Sequence, residues 1–184
     1  LTYMIRMDEE GRISHFAKIG KTSLDGALRL ASISCMFKRD TMREVFGYWD
    51  SVKFSADSEL IERARTVLGD RFATFELMGL LCLDADGSLT NDPVHGVSKQ
   101  TGISATRSYY RSQWQQWHTT LDRSNCYLGF PHEPRNFDAP SVIQIPRDRI
   151  ERVLACPMES PAEDETTASA SGGAPLRGHL GDPR

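Results

Sequence analysis

The sequence predicts one α/β domain over residues 1–158, because β-prone segments alternate with helix-periodic segments along that length. Hydrophobic residues make up 39% of the 184-residue chain, which is enough for residues 1–158 to form a single hydrophobic core. Residues 159–184 contain no aromatic and no β-branched aliphatic side chain, and they are rich in Thr, Ala, Ser and Gly. Such a segment buries too little apolar surface to offset the entropy of ordering, so we expect an acidic, disordered tail.

The first part of the chain predicts a hairpin, a strand and a short helix. Two β-prone stretches around a polar, Gly-containing turn indicate a hairpin over residues 1–19. Apolar residues alternate with smaller or polar ones over residues 31–38, as in a half-buried strand. Thr41 and Glu44 have capping-box spacing, and Gly47 suits the end of the short helix that they begin.

A second helix is predicted from Ser55 or Asp57 to Leu68. Its apolar residues fall on one face, and Gly69 suits its end. Asp57 would then lie in the cap or first turn, where the positive end of the helix dipole favours an ionised carboxylate.

The remaining chain predicts a buried strand at residues 72–83, a turn at 84–87 and an irregular loop at 88–104. It then predicts a long helix at 105–123, a proline-rich surface segment at 130–146 and a short helix at 148–154. The loop is long enough to be a functional lid. Trp114 and Trp117 share a face of the long helix with other apolar residues, and we expect one of them to lie in the core.

Charge and cysteine patterns narrow the class of protein. The net charge of −3 belongs to the tail, because acids and bases are equal in number up to Met158. A strongly basic nucleic-acid-binding module is therefore not expected. Apolar runs fall short of the roughly 20 residues that span a bilayer, and the mixed opening residues are unlike a signal peptide. The four cysteines are widely spaced and predict buried thiols in a reducing compartment.

Residues from about Ser32 to Gly69 resemble the second half of the family 2, inverting, nucleotide-sugar glycosyltransferases. In that family a strand with a basic end leads through a short helix to a G-[YFW]-[FW]-D turn, and then to an E-D-x-x-L-x-x-x-R helix start. The matching segments here read Met-Phe-Lys-Arg, Gly-Tyr-Trp-Asp over residues 47–50, and Ala-Asp-Ser-Glu-Leu followed by Arg63. Ala56 stands where many members carry Glu.

The resemblance implies the C-terminal portion of a GT-A-type domain, with helices flanking a mixed sheet. Its activity would be inverting transfer of a sugar from a nucleotide-sugar donor to a glycan or other hydroxyl acceptor. Asp57 would be the general base. The substrate-binding residues would be Trp49, Glu59, Arg63, Ser88, Thr90 and Arg107. His118 would complete the site of a divalent metal, Mg²⁺ or Mn²⁺, near the donor diphosphate.

The resemblance also carries expectations about the rest of the enzyme. No Gly-rich phosphate-binding loop precedes the matching region, and Leu1 opens the chain only about thirty residues before it. We therefore expect a nucleotide-binding half elsewhere in a longer chain, and little activity from this part alone. The complete enzyme would be cytoplasmic, or peripheral at the inner face of the membrane.

Several ordinary interpretations compete with these assignments. Asp57 is also a normal helix N-cap, and Arg107 and His118 are also typical of a solvated helix face. Asp84 and Asp86 have D-x-D spacing, but in the family that motif precedes the base helix, so a turn is favoured. At the level of function, the alternative is a carbohydrate-binding or interaction module that keeps the fold without catalysis.

Overall fold

The computed structural model describes residues 1–14, 22–23, 27–98 and 102–156, and it shows a mixed α/β fold as predicted. The strands are β1 (Thr2–Met7), β2 (Thr22–Ser23), β3 (Leu28–Ala31), β4 (Met78–Leu83), β5 (Val97–Ser98) and β6 (Gly102–Ile103). The helices are α1 (Arg39–Thr41, continued by a π-helical turn over Met42–Phe46), α2 (Ala56–Leu68), α3 (Ala105–His118) and α4 (Arg147–Ala155). The predicted tail, residues 159–184, lies outside the described residues.

The main sheet has four strands in the order β2-β3-β1-β4. Strand β1 pairs antiparallel with β3 and parallel with β4, so the sheet is mixed. Strands β5 and β6 form a separate antiparallel pair within the segment predicted as an irregular loop. Among the described residues, no helix is long and apolar enough to cross a membrane.

Two predicted strands differ from the structure. Residues 31–38 leave the extended conformation after Ala31, because Ser34 Oγ accepts a hydrogen bond from the Thr2 N–H and donates one to the Ala31 carbonyl. The strand predicted as buried within residues 72–83 is β4, whose Leu81 is 60% exposed. Its side chains are exposed because none of the described helices packs closely over β4, whose main neighbours are β1 and β3.

Helix α2 matches its predicted bounds. It begins after Ser55, which has a left-handed φ of 62°, and ends at Gly69, with φ of 53°. Helix α3 ends five residues earlier than predicted. The side-chain hydroxyls of Thr119 and Thr120 donate to the carbonyls of Gln116 and Trp117, and these bonds occupy acceptors that a longer helix would use.

The predicted hairpin at the start of the chain is seen only around its turn. Asp8 N–H donates to the Arg12 carbonyl at 3.0 Å, and Met7 and Ile13 form an antiparallel bridge. Residues 15–19 of the predicted second strand lie outside the described residues. The four cysteines are free thiols, as predicted, but only Cys126 of them is buried, while Cys35 and Cys82 are half-buried and Cys156 is exposed.

The apolar cores are built around α2 and α3. One joins Tyr110 and Trp114 of α3 to residues of the segments on either side, namely Val52, Phe54, Leu128, Phe137, Ala139 and Ile143. The other packs Leu60 and Ala64 of α2 against Phe46 and Cys126. The prediction of a core position for Trp114 is confirmed, since it is 1% exposed.

Gly47 lies in close backbone contact with Leu128. It has a φ of 72°, and a Cβ atom there would lie 2.0 Å from the Leu128 carbonyl oxygen. Phe46 and Tyr48 on either side exchange backbone hydrogen bonds with Leu128, at 3.0 and 2.8 Å. Glycine is therefore required by both the backbone conformation and the space.

Candidate functional site

A cleft of about 910 Å³ lies beside α2 and α3. Residues of the main sheet line it, among them Arg6 and Arg29, together with residues of both helices and of the segment after β4. Five of the residues singled out from the sequence are in its lining: Asp57, Ser88, Thr90, Arg107 and His118. The fold thus brings together residues that are up to 61 positions apart in the chain.

Asp57 lies in the first turn of α2, as the sequence predicted. Its side chain is half-buried in the cleft lining, and the Ser55 side chain before it makes no capping bond to the helix. The carboxylate acts electrostatically on Arg107. Burial lowers the pKa of Arg107 below its ordinary value, and the negative charges of Asp57 and Asp92 partly oppose this shift.

Arg107 joins α3 to the start of α2 and to the segment after β4. Its guanidinium donates to the carbonyls of His95 at 2.5 Å and Leu89 at 2.9 Å, and to Ser55 Oγ at 3.3 Å. It also lies over the Phe54 ring, 4.8 Å from the centroid. Arg107 therefore positions the Ser88 to Thr90 segment relative to Asp57 as well as contributing charge to the cleft.

Glu59 and Arg63 have fully buried side chains and lie outside the cleft lining. Arg63 Nε donates to Glu59 Oε1 at 2.9 Å, and Nη2 donates to Oε2 at 3.2 Å. The remaining N–H groups donate to the carbonyls of Phe46, Tyr48 and Cys126. All five guanidinium N–H groups thus have partners, and the pair holds α2 to the turn at residues 46–48.

His118 connects this buried pair to the cleft. Its Nε2 lies 3.0 Å from Glu59 Oε1, and its ring is stacked near Trp114 with centroids 4.9 Å apart. Because an ionised carboxylate only accepts hydrogen bonds, Nε2 donates to Glu59, and Nδ1 is the ring nitrogen that this contact leaves unused. A histidine oriented by a carboxylate in this way is a common arrangement for a metal ligand or a proton acceptor.

The other sequence candidates lie apart from the cleft lining. Trp49 is 52% exposed. Asp84 is buried in an ion pair with Arg6 at 2.8 Å and also accepts from Ser14 Oγ and Asn91 Nδ2. Asp86 is exposed beside Gly87, so the predicted turn is confirmed. Within the described ranges, no group of three or more His, Cys, Asp or Glu residues is arranged to hold a metal ion.

A second buried polar cluster surrounds Asp50, the last residue of the Gly-Tyr-Trp-Asp turn. Tyr110 Oη donates to its Oδ2 at 2.8 Å, Arg135 donates to the same oxygen, and His132 Nδ1 lies 3.0 Å from Oδ1. Asn136 N–H donates to His132 Nε2 at 3.0 Å, so Nδ1 carries the proton and donates to Asp50. The cluster joins the turn to α3 and to the proline-rich segment.

From the sequence, Asp50 was predicted only to be part of a turn, and no role was predicted for His132. The turn motif was a signal for Asp50, because its polar last residue follows two aromatic ones. His132 stands between prolines in an irregular segment, where no periodicity indicates its burial. Only the fold shows that these residues meet.

We expect Asp50→Asn to destabilise the fold by about 3 kcal/mol at neutral pH, because the buried donors around it lose their charged acceptor. Burial acts to raise the pKa of Asp50, but the His132 hydrogen bond, the Arg135 charge and the Tyr110 hydrogen bond outweigh it, so the pKa is lowered. The carboxylate therefore stabilises the fold above its unfolded pKa of about 3.9, and this contribution is lost as the pH falls through the lower folded pKa.

Urea denaturation of both proteins between pH 2 and 7 measures this effect. The difference in unfolding free energy should be largest at pH 7 and should shrink below about pH 4. Asp148→Asn is the control, because that carboxylate is 72% exposed and pairs only with Arg152 on the surface. A difference that stayed constant with pH would contradict the role given to the Asp50 charge.

Comparisons with known proteins identified no related family. The sequence matches no protein-family model, and it matches no curated protein. The site is therefore interpreted from its own residues and from the resemblance in residues 32–69.

Proposed function

We propose that this chain forms the acceptor side of an inverting, GT-A-type glycosyltransferase, which moves a sugar from a nucleotide-sugar donor to a hydroxyl acceptor. The observation that carries the proposal is the position of Asp57, at the start of α2 in the lining of an arginine-rich cleft. Ser88, Thr90, Arg107 and His118 line the same cleft. The role of each residue follows from what its group can do there.

Asp57 would act as the general base. Its carboxylate accepts the proton of the acceptor hydroxyl while that oxygen forms a bond to the anomeric carbon of the donor sugar. The bond from the same carbon to the diphosphate oxygen breaks on the opposite face, and the electron pair leaves with the nucleoside diphosphate. One displacement inverts the anomeric configuration.

The arginines of the cleft suit the charge of the leaving group. Five arginines and two carboxylates line the cleft, and of these arginines Arg6 is paired with the buried Asp84 and Arg65 with Glu62. Guanidinium groups donate to phosphate oxygens in pairs and stay charged throughout the reaction. Ser88 and Thr90 add hydroxyls that suit hydrogen bonding to a sugar, in a segment held by Arg107.

The proposed enzyme would use a divalent metal, Mg²⁺ or Mn²⁺, as its cofactor. Among the described residues, His118 supplies one suitable ligand atom, Nδ1, whose ring is oriented by Glu59. A single nitrogen suits Mn²⁺ better than the harder Mg²⁺, and the other ligands of the ion would be mainly diphosphate oxygens. When bound, such an ion neutralises charge on the diphosphate. Glu59 and Arg63 would act by positioning His118 and the start of α2, without contacting the substrate.

The test is a transfer assay on the intact polypeptide as the cell makes it. UDP-, GDP- and dTDP-linked sugars are incubated with glycan acceptors and Mg²⁺ or Mn²⁺, and nucleoside diphosphate release is measured with and without acceptor. We expect acceptor-dependent release, with a product whose anomeric configuration, read by NMR, is opposite to that of the donor. Glycan binding without acceptor-dependent release from any of these donors would favour a non-catalytic carbohydrate-binding module instead.

A further inference from the structure

Ser55, the residue before α2, has a backbone conformation that residues with side chains rarely adopt. Its φ of 62° and ψ of 11° lie in the left-handed region, and among the described residues every other positive φ belongs to a glycine. The residue before a helix normally has an extended backbone and caps the helix with its side chain. A left-handed serine is strained, and such strain persists only where the surrounding structure holds it in place.

The Ser55 hydroxyl contacts another helix instead of capping its own. It makes no capping bond to α2, and it accepts a hydrogen bond from Arg107 Nη1 of α3 at 3.3 Å. The start of α2 therefore lacks a stabilising contact as well as being strained. Ser55 lines the cleft together with Asp57, which lies two residues later. The loss of stability thus falls on the residue that leads into the proposed base.

The backbone of Ser55 sets the direction of the first turn of α2. Its carbonyl accepts a hydrogen bond from the Glu59 N–H at 3.1 Å, so the helical hydrogen bonds begin at this residue. The φ and ψ of Ser55 fix how the chain enters that turn, and they therefore fix where Asp57 lies. Arg107, which holds the Ser55 side chain, also donates to two carbonyls of the segment after β4. Ser55 thus links the place of Asp57 to that segment.

We propose that Ser55 is a positioning residue for the transfer reaction, which holds Asp57 and Arg107 in one arrangement without contacting the reacting atoms. The proposal rests on the proposed function for the identity of that reaction. A residue that served only to begin the helix would do so without strain, from an extended backbone and with a capping hydroxyl. The left-handed backbone and the bond to Arg107 serve the geometry of the cleft instead.

Three substitutions separate the effects of the Ser55 backbone from those of its hydroxyl. Ser55→Gly relieves the strain and removes the hydroxyl, whereas Ser55→Ala keeps the strain without the hydroxyl. Ser55→Asn tolerates the left-handed backbone and supplies a side-chain oxygen for Arg107. In urea unfolding of the intact polypeptide, we expect Ser55→Gly to be at least as stable as the unaltered protein and Ser55→Ala to be less stable.

Activity should follow the contact with Arg107 and not the stability. We expect kcat for sugar transfer to fall about tenfold in Ser55→Gly, because a displaced base attacks less often in the productive geometry, and KM for the donor to change less than about twofold. Ser55→Asn should restore most of the activity. Ser141→Gly is the matched control, because that serine is exposed in the proline-rich segment, and its kcat should equal that of the unaltered protein.

A second measurement requires no turnover. Arg107 Nε–H donates to the His95 carbonyl, and NMR of the ¹⁵N-labelled polypeptide follows its exchange with water. We expect this exchange to be faster in Ser55→Gly than in the unaltered protein, because the guanidinium has lost one of its acceptors, and to slow again in Ser55→Asn. The signal of the exposed Arg123 should be the same in all variants.

The outcomes separate this proposal from the proposed function. An unchanged kcat in Ser55→Gly would overturn the positioning role, and so would a loss of activity that Ser55→Asn fails to restore. Ser55→Gly less stable than Ser55→Ala would show that the left-handed backbone is not strained, which also contradicts the proposal. If the unaltered polypeptide transfers no sugar, the proposed reaction fails, and the exchange of Arg107 Nε–H alone decides whether Ser55 positions Arg107.

Discussion

Asp57→Asn should lower the rate of sugar transfer by about 10²–10⁴-fold, the range over which a positioned general base contributes to catalysis. Asparagine has nearly the same shape but cannot accept the proton of the acceptor hydroxyl. Nucleotide binding should remain almost intact, because the base acts on the acceptor. The rate is measured on the intact polypeptide by nucleoside diphosphate release, and binding by calorimetry.

The structure predicts that folding will not confound this result. Asp57 is half-buried in the first turn of α2, so the loss of its charge should cost only about 0.3–1 kcal/mol of helix stabilisation. Asp70→Asn is the matched control, since that exposed carboxylate follows the same helix. Asp57→Glu should keep part of the activity, because it retains a carboxylate at a shifted position. Turnover retained in Asp57→Asn would remove this residue from the role of base.

Arg63→Met should destabilise the domain by about 4 kcal/mol or more, a large share of the roughly 5–15 kcal/mol by which domains are stable. The change leaves the Glu59 carboxylate buried without its cation. It also removes the donors to the carbonyls of Phe46, Tyr48 and Cys126. Thermal and urea unfolding followed by circular dichroism measure the effect.

Companion variants show whether the lost interactions are those described. Arg71→Met removes an exposed arginine just after α2 and should change the unfolding free energy by less than about 0.5 kcal/mol. Adding Glu59→Gln to Arg63→Met should restore part of the stability, because it removes the unpaired charge. An Arg63→Met protein as stable as the unaltered one would show that the buried pair contributes no net stability.

Local sequence predicted the parts of this molecule whose structure depends on near neighbours. The bounds of α2 follow from its apolar face and from Gly69, and the place of Asp57 in its first turn follows from those bounds. The end of α3 was predicted too late, because the bonds from Thr119 and Thr120 to the last carbonyls leave no strong sequence signal. The exposure of β4 was missed because an apolar run does not show whether a helix covers that face of the sheet.

The candidate site likewise combines features that the sequence predicted with features that only the fold shows. The family resemblance pointed to Asp57, Ser88, Thr90, Arg107 and His118, and the fold places all five in the lining of one cleft. Glu59 and Arg63 were selected by the same motif, yet their side chains are fully buried. The motif spacing could not show this, because the partners of Arg63 include the Cys126 carbonyl, 63 residues away in the chain.

By itself, the sequence determined the α/β class, the helix that presents Asp57 and the absence of charge excess outside the tail, since these depend on composition and on contacts within a few residues. Tertiary structure alone decided which polar groups are buried with partners and which are left unsatisfied. Asp50 meets His132 across 82 residues, and the Trp114 indole N–H stays without a partner in the described chain. The physical reason is that hydrogen bonding of a buried group depends on everything packed around it, and that packing joins distant segments.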